Sequence, residues 1–177
     1  MNRNKRSVAL HPLNPQLVMR SVSGFGTDGP YSHQPAFDPT VQSVAGYPMV
    51  QIDDSHEPQL MATIVCDKVT SLNVAQSVCA ALVARLLGHR GRHIELAMVD
   101  ASIHFLWPEA MWNHTYLDHE TDMPDLTSIY NLFPTADGWA MAYPVATDAH
   151  WRGMCEALNR PDLAADPRFL DLQGRVM

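Results

Sequence analysis

The stretch CDKVTSLNVAQSVCAALVARLLGHRGRHIELAMVDA, residues 66–101, decides the fold. Leu72, Ala75, Cys79, Leu82, Val83 and Leu86 recur at steps of three and four, which predicts a helix over residues 69–87, and Gly88 stands where a helix end takes a left-handed residue. Val74, Val78, Ala80 and Ala81 fill most of the remaining faces, so this helix is expected to be buried between layers. HRGR, residues 89–92, makes a basic turn, and HIELAMV, residues 93–99, alternates as a strand does. Asp100 can cap a second helix that runs to about residue 117 and bends at Pro108, where the backbone lacks a donor. Helix, turn, strand and helix in this order are the rhythm of an α/β layer.

Working outward, LVMRSVS (residues 17–23) reads as a strand that ends in the turn formers GFGTDGPY (residues 24–31). A loop at the C-terminal end of a strand is where α/β sheets collect ligands. In FDPTVQSVAGY (residues 37–47), Asp38 reads as an N-cap, Pro39 as the first helical residue and Gly46 as the stop. Residues 48–61 read as an exposed, irregular loop. On the C-terminal side, residues 130–133 and 139–145 flank Ala136-Asp137-Gly138, a hairpin signal. Thr147 or Asp148 then caps a helix over residues 149–158. The expected organisation is a large-domain part over residues 1–120, a linker at 121–128 and the start of a smaller unit at 129–177.

Composition narrows the function. The 177 residues are 46% hydrophobic and 18% charged, ordinary for a globular chain. A net charge of −7 and a pI near 5.6 oppose nucleic-acid binding, which needs a basic face. No run approaches the roughly 18 consecutive apolar residues of a membrane span, so no membrane partner is expected. Three widely spaced cysteines form neither a disulfide framework nor a metal knuckle, and a reducing, cytoplasmic setting is the expectation. Thirteen prolines and ten methionines suggest short elements around an adaptable interior.

The chemistry-bearing clusters mostly have plain structural readings. His114, Asp118, His119 and Glu120 invite a metal, but a five-residue His spacing departs from helical zinc motifs, and no metal is expected. No GxSxG elbow is present for a serine nucleophile. Gly24, Gly26 and Gly29 spell GxGxxG, yet Pro30 and Tyr31 follow instead of an apolar helix, which makes a poor dinucleotide fingerprint. Cys66 is a nucleophile only if the helix start lowers its pKa, and packing is the simpler role. Asp67 stands out: a carboxylate at a helix N-terminus is either a cap or an ionised nucleophile or base, and local pattern favours the cap.

Segment order adds what local pattern lacks. NPQLVMRSVSGFGTDGPY (residues 14–31), QPAFDPTVQSVAG (34–46), the Asp67 helix and ARLLGHRGRHIELAMVDA (84–101) resemble, in the same order, motifs of the class III CoA-transferase family, the CaiB/BaiF group. TADGWAMA (135–142), AHWRGMCEALNRPDLAADPRF (149–169) and the final GRV (174–176) resemble the opening of that family's small domain. The match runs from about residue 14 to residue 176. It departs at Ser71, where glycine is typical, and at Arg92, where glutamine is.

The resemblance implies an α/β fold made of part of a Rossmann-like large domain and the start of a small α+β domain. The family's preceding Rossmann-like half and its closing segments are expected to be missing. It implies that Asp67 is the nucleophile that carries CoA between two carboxylic acids as an aspartyl-CoA thioester. It further implies that Phe37, Asp38 and Gln42 line the active-site wall and that Met98 contacts the CoA chain. Acyl-CoA and a carboxylic acid are then substrates, with no permanently bound cofactor. Family members form interlocked dimers, so a homodimer or pairing with a complementary chain is expected. The related acyl-CoA racemases place a histidine at the position of Phe37; phenylalanine moves no proton, so transfer is favoured over racemisation. A non-catalytic remnant or subunit that pairs with another chain is the alternative from outside enzymology.

Overall fold

The computed structural model describes residues 14–51, 57–115, 117, 130, 132–141 and 147–176. The chain divides into two units, Met1–Met111 and Trp112–Met177. The expected linker at 121–128 lies outside the described residues.

In the first unit, strand β1 (Met19–Ser23) pairs in parallel with β2 (His93–Ala97), in a register that sets Met19 against His93 and Ser23 against Ala97. Parallel strands need a long crossover. It contains helix α1 (Asp38–Ala45), the single turn α2 (Tyr47–Val50) and the long helix α3 (Val65–Leu86). Helix α4 (Met98–Met111) follows β2 directly and includes Pro108, six residues short of the expected end. The one-turn α2 interrupts what the sequence suggests is irregular loop.

The helix ends follow from local chemistry. Gly46, with φ at +91°, stops α1 and donates its N–H to the Gln42 carbonyl. Beyond α3, Gly88 also has φ at +91°; its N–H reaches the Arg85 carbonyl at 3.0 Å while the His89 N–H reaches Ala84 at 3.1 Å. That crossed pair of bonds closes the last turn of the helix. The basic turn is held against the chain entering β1: the Gly91 N–H donates to Pro15 O at 2.8 Å, and a Cβ on Gly91 would stand 2.2 Å from Leu17 O. Only glycine allows that approach.

Val41, Ala45, Tyr47, Cys66 and Leu106 form the core cluster, where α1, the start of α3 and α4 meet. Burial pushes the Tyr47 hydroxyl up to about 12, helped by Cys66, Asp38 and Glu109, and it donates to the Ser102 carbonyl at 3.2 Å. Helix α3 departs from expectation in two ways. It begins four residues early, and only Cys66, Val69, Thr70 and Ala81 along its length are buried. Leu72 is 71% exposed and Leu86 81%, because α1, α4 and β2 pack against other parts of the helix and no described element covers these side chains. By length and mean hydropathy α3 would suffice to cross a bilayer, although Asn73, Gln76 and Ser77 interrupt its apolar run.

In the second unit, β3 (Leu132–Pro134) and β4 (Trp139–Met141) form the expected hairpin, closed by Thr135 N–H to Gly138 O at 2.9 Å. Helix α5 (Asp148–Ala157) is capped by Thr147, whose hydroxyl accepts from the His150 N–H. After α6 (Pro161–Ala164) and a 3₁₀ turn (Pro167–Phe169), α7 (Leu172–Val176) brings Arg175 back to α5. The Arg175 side chain, 4% exposed, donates to Asp148 and to the Phe169 and Leu170 carbonyls, and its guanidinium lies 5.7 Å over the Trp151 ring.

The Arg168 fork holds the Asp166 carboxyl down at about 2. A depressed carboxylate adds stability above its unfolded pKa, near 4, and that contribution disappears as pH falls toward about 2. An NMR titration should therefore place the Asp166 carboxyl near 2, and Arg168→Gln should raise it only part of the way back, because the backbone N–H of residue 168 still donates to Asp166 Oδ1.

Candidate active site

The residues singled out by sequence meet at the starts of two helices. Phe37 is extended (φ −125°, ψ 153°) and is itself the N-cap of α1, which makes Asp38 the first helical residue and Pro39 the second. The expected Asp38 cap is thus displaced by one position, and its side chain turns to another helix. One oxygen, Asp38 Oδ2, accepts the backbone N–H of Asp67 at 2.9 Å. The other, Oδ1, accepts from Gln42 Nε2 at 2.5 Å, one helical turn along α1.

Asp67 is not an N-cap either. Ile64 holds that position without a side-chain cap bond, and Asp67 is the third residue of α3. The N–H groups of a first helical turn have no partner within the helix. Asp38 satisfies one of them from across the α1–α3 contact, as a capping residue would from within the chain. A charge-assisted bond of this kind contributes about 1.5–3 kcal/mol.

Gln42 extends the arrangement. Its Oε1 accepts from Met61 N–H at 2.9 Å and its Nε2 also donates to the Thr63 carbonyl at 2.9 Å. The chain entering α3 is therefore tied to α1 on both sides of Ala62. Asp38 is 4% exposed and Gln42 2%, and their polar atoms are engaged within the protein. The Asp67 carboxylate differs. It is half-buried, stands in the first turn of α3 and makes no hydrogen bond or ion pair among the described residues.

Met98 is the first residue of α4, not a strand residue, and is half-buried against the core cluster. Phe37 is 68% exposed. The turn-former loop after β1 packs close by: the Gly24 carbonyl accepts from Val99 N–H, a Cβ on Gly24 would collide with Ala36, and Gly26 and Gly29 take positive φ. Gly24 serves a tight approach, whereas Gly26 and Gly29 serve a left-handed backbone. The sequence reading missed the Asp38 to Asp67 bond, and only the i, i+4 spacing of Asp38 and Gln42 hinted at their pairing.

Lys68 Nζ donates to Thr63 Oγ1 at 2.7 Å, and Ser71 Oγ to the Asp67 carbonyl at 2.8 Å. Among the described residues no group of three His, Cys, Asp or Glu could hold a metal ion, and Asp118, His119 and Glu120 lie outside those residues. Cys66 is fully buried in the core, where burial raises its thiol pKa, the nearby Ser102 hydroxyl opposes the rise, and Asp38 and Asp67 add to it. A thiol reagent should therefore modify exposed Cys79 in the native protein and reach Cys66 and Cys155 only on unfolding, as peptide mass mapping would read.

Residues 7–177 match the family model described as CoA-transferase family III. The chain is 29% identical over 176 residues to the succinate–glutarate CoA-transferase of Agrobacterium fabrum, covering 95% of this chain and 42% of that protein. It is 27% identical over 172 residues to the β subunit of the succinyl-CoA–L-malate CoA-transferase of Chloroflexus aurantiacus, covering 94% and 42%. A crystal structure of a hypothetical protein from Mycobacterium tuberculosis superposes with a TM-score of 0.77 at 26% identity, covering 94% of this chain and 44% of that one. The chain thus spans less than half the length of each.

Proposed function

This chain belongs to CoA-transferase family III, and from that premise we propose that it carries the nucleophile, Asp67, of an enzyme that moves CoA between carboxylic acids. Its fold is part of the class III CoA-transferase fold. The observation that carries the proposal is the contrast between two neighbouring carboxylates. Asp38 is buried with both oxygens engaged, whereas the Asp67 carboxylate is half-buried and unengaged among the described residues.

In the proposed sequence, an Asp67 oxygen attacks the thioester carbonyl of the donor acyl-CoA. The C–S bond breaks, leaving a mixed anhydride and CoA thiolate. The thiolate attacks the Asp67 carbonyl, expels the donor carboxylate and forms the aspartyl-CoA thioester. The acceptor carboxylate attacks that thioester to give a second anhydride, and the thiolate then takes the acyl group and restores the Asp67 carboxylate. Covalent catalysis divides one difficult exchange into easier steps, and backbone donors near the α3 start would stabilise the developing oxyanions. Exposed Phe37 and half-buried Met98 remain candidate contacts for substrate. Three free cysteines fit a reducing, cytoplasmic setting. After incubation with acyl-CoA, hydroxylamine should convert Asp67 to a hydroxamate found by peptide mass spectrometry. A hydroxamate of equal yield in Asp67→Ala would refute the assignment.

We further propose that the chain works with a complementary chain or second copy. Leu72, Val83, Leu86 and Leu87 leave α3 with an exposed apolar face, and parallel strands are ordinarily covered on both faces. Beside α3, Arg20 donates to Ser77 at 2.7 Å while its Nε and Nη2 are buried with no described partner. Arg160 and Arg168 present the same fork to Asp162 and Asp166, so an acidic side chain on the covering segment suits Arg20. Native mass spectrometry should find the chain in a complex. A stable monomer that binds no acyl-CoA would overturn activity of the chain by itself.

A further inference from the structure

We infer that Asp38 and Gln42 are positioning residues for Asp67 rather than substrate contacts. The inference rests on the reading of Asp67 as the nucleophile and adds how its place is fixed. The argument begins with supply and demand for hydrogen bonds at the α3 start. Ile64 offers no side-chain cap, so the first turn of α3 must find an acceptor elsewhere. Asp38 Oδ2 provides one directly to the Asp67 N–H, the backbone group nearest the reacting side chain.

Asp38 is in turn oriented by Gln42 Nε2, and Gln42 grips Met61 N–H and Thr63 O on the approach to α3. With both residues almost fully buried, neither has a free side-chain polar atom to offer a substrate. The brace therefore sets where Asp67 begins on its helix, and so where its carboxylate points when an acyl carbonyl arrives. Displacement of a reacting group by about 1 Å costs about 100-fold in rate. Loss of the brace should act on the chemical step and leave acyl-CoA affinity nearly unchanged.

Two readouts on the purified full chain test this. The first is amide hydrogen exchange. Asp38→Ala should speed exchange of the Asp67 N–H by about tenfold or more, while the Lys68 N–H, bonded to Ile64 O, serves as an internal control. The second is the rate of Asp67 hydroxamate formation against acyl-CoA concentration: the maximal rate should fall about 10- to 100-fold with the half-saturating concentration within about threefold. Asp38→Asn forces one donor to face another, at Asp67 N–H or at Gln42 Nε2, and Gln42→Glu sets two carboxylates together. The double variant D38N/Q42E restores a donor–acceptor match at both Asp38 contacts but sets a carboxylate oxygen against the Thr63 carbonyl, so it should recover only part of the rate lost in either single variant.

Unchanged Asp67 exchange in Asp38→Ala would overturn the brace. Faster exchange with a wild-type labelling rate would overturn its role in positioning. A higher half-saturating concentration with an unchanged maximal rate would make Asp38 a binding residue instead. If the wild-type chain, in the complex it forms, gives no hydroxamate at Asp67, the nucleophile reading fails and the positioning role with it, while the exchange arm still decides whether the brace exists.

Discussion

One carboxylate, Asp38, joins two helices through a bond to a residue 29 positions further along the chain. A helix start leaves N–H groups without partners, and α3 has no capping side chain of its own. The acceptor comes from the first residue of α1, placed there because Phe37 is extended and Pro39 fixes the turn that follows. Gln42, one turn further, draws in the segment around Ala62 through its two amide atoms. The core of Val41, Ala45, Tyr47 and Cys66 then forms along the same contact, so polar and apolar interactions specify one approach of α1 to α3.

The same contact divides labour between two aspartates. A buried carboxylate must be hydrogen-bonded, because leaving its charge unpaired in a dry environment costs several kcal/mol, about 2–7 for even a neutral polar group. Asp38 meets that requirement with both oxygens. Asp67 is more exposed, and its oxygens have no hydrogen-bond partner among the described residues. Burial of the neighbouring groups has the opposite effect on their reactivity: Tyr47 and Cys66 are both pushed toward their neutral forms. Among the described residues, the Asp67 carboxylate has no hydrogen-bond or ion-pair partner at this junction, which is what the proposed nucleophile requires.

Hydrophobic content takes a different meaning from the fold. A chain that is 46% hydrophobic could fill a substantial core, yet much of α3 and the strands of the small hairpin present apolar side chains outward. The matched relatives are more than twice as long, and in this chain a two-stranded parallel sheet and an apolar face of α3 stand uncovered among the described residues. In the second unit, Arg175 compensates for a sparse apolar core. Its buried guanidinium joins Asp148, two backbone carbonyls and the Trp151 ring, tying the last helix to the first of that unit.

Local chemistry made much of this legible from sequence. The strands around residues 19–23 and 93–97, the helix stops at Gly46 and Gly88, the hairpin at Ala136-Asp137-Gly138 and the Thr147 cap each depend on interactions within a few residues. Motif order pointed to the family and to Asp67. The start of α3, the exposure of Leu72 and Leu86 and the roles of Asp38 and Gln42 were not legible, because each is decided by what lies opposite in space. An aspartate beside a proline reads as a cap for its own helix. Only the tertiary structure brings Asp38 within hydrogen-bonding distance of another helix and commits it there, since a hydrogen bond is selected by distance and direction between atoms, whatever their separation along the chain.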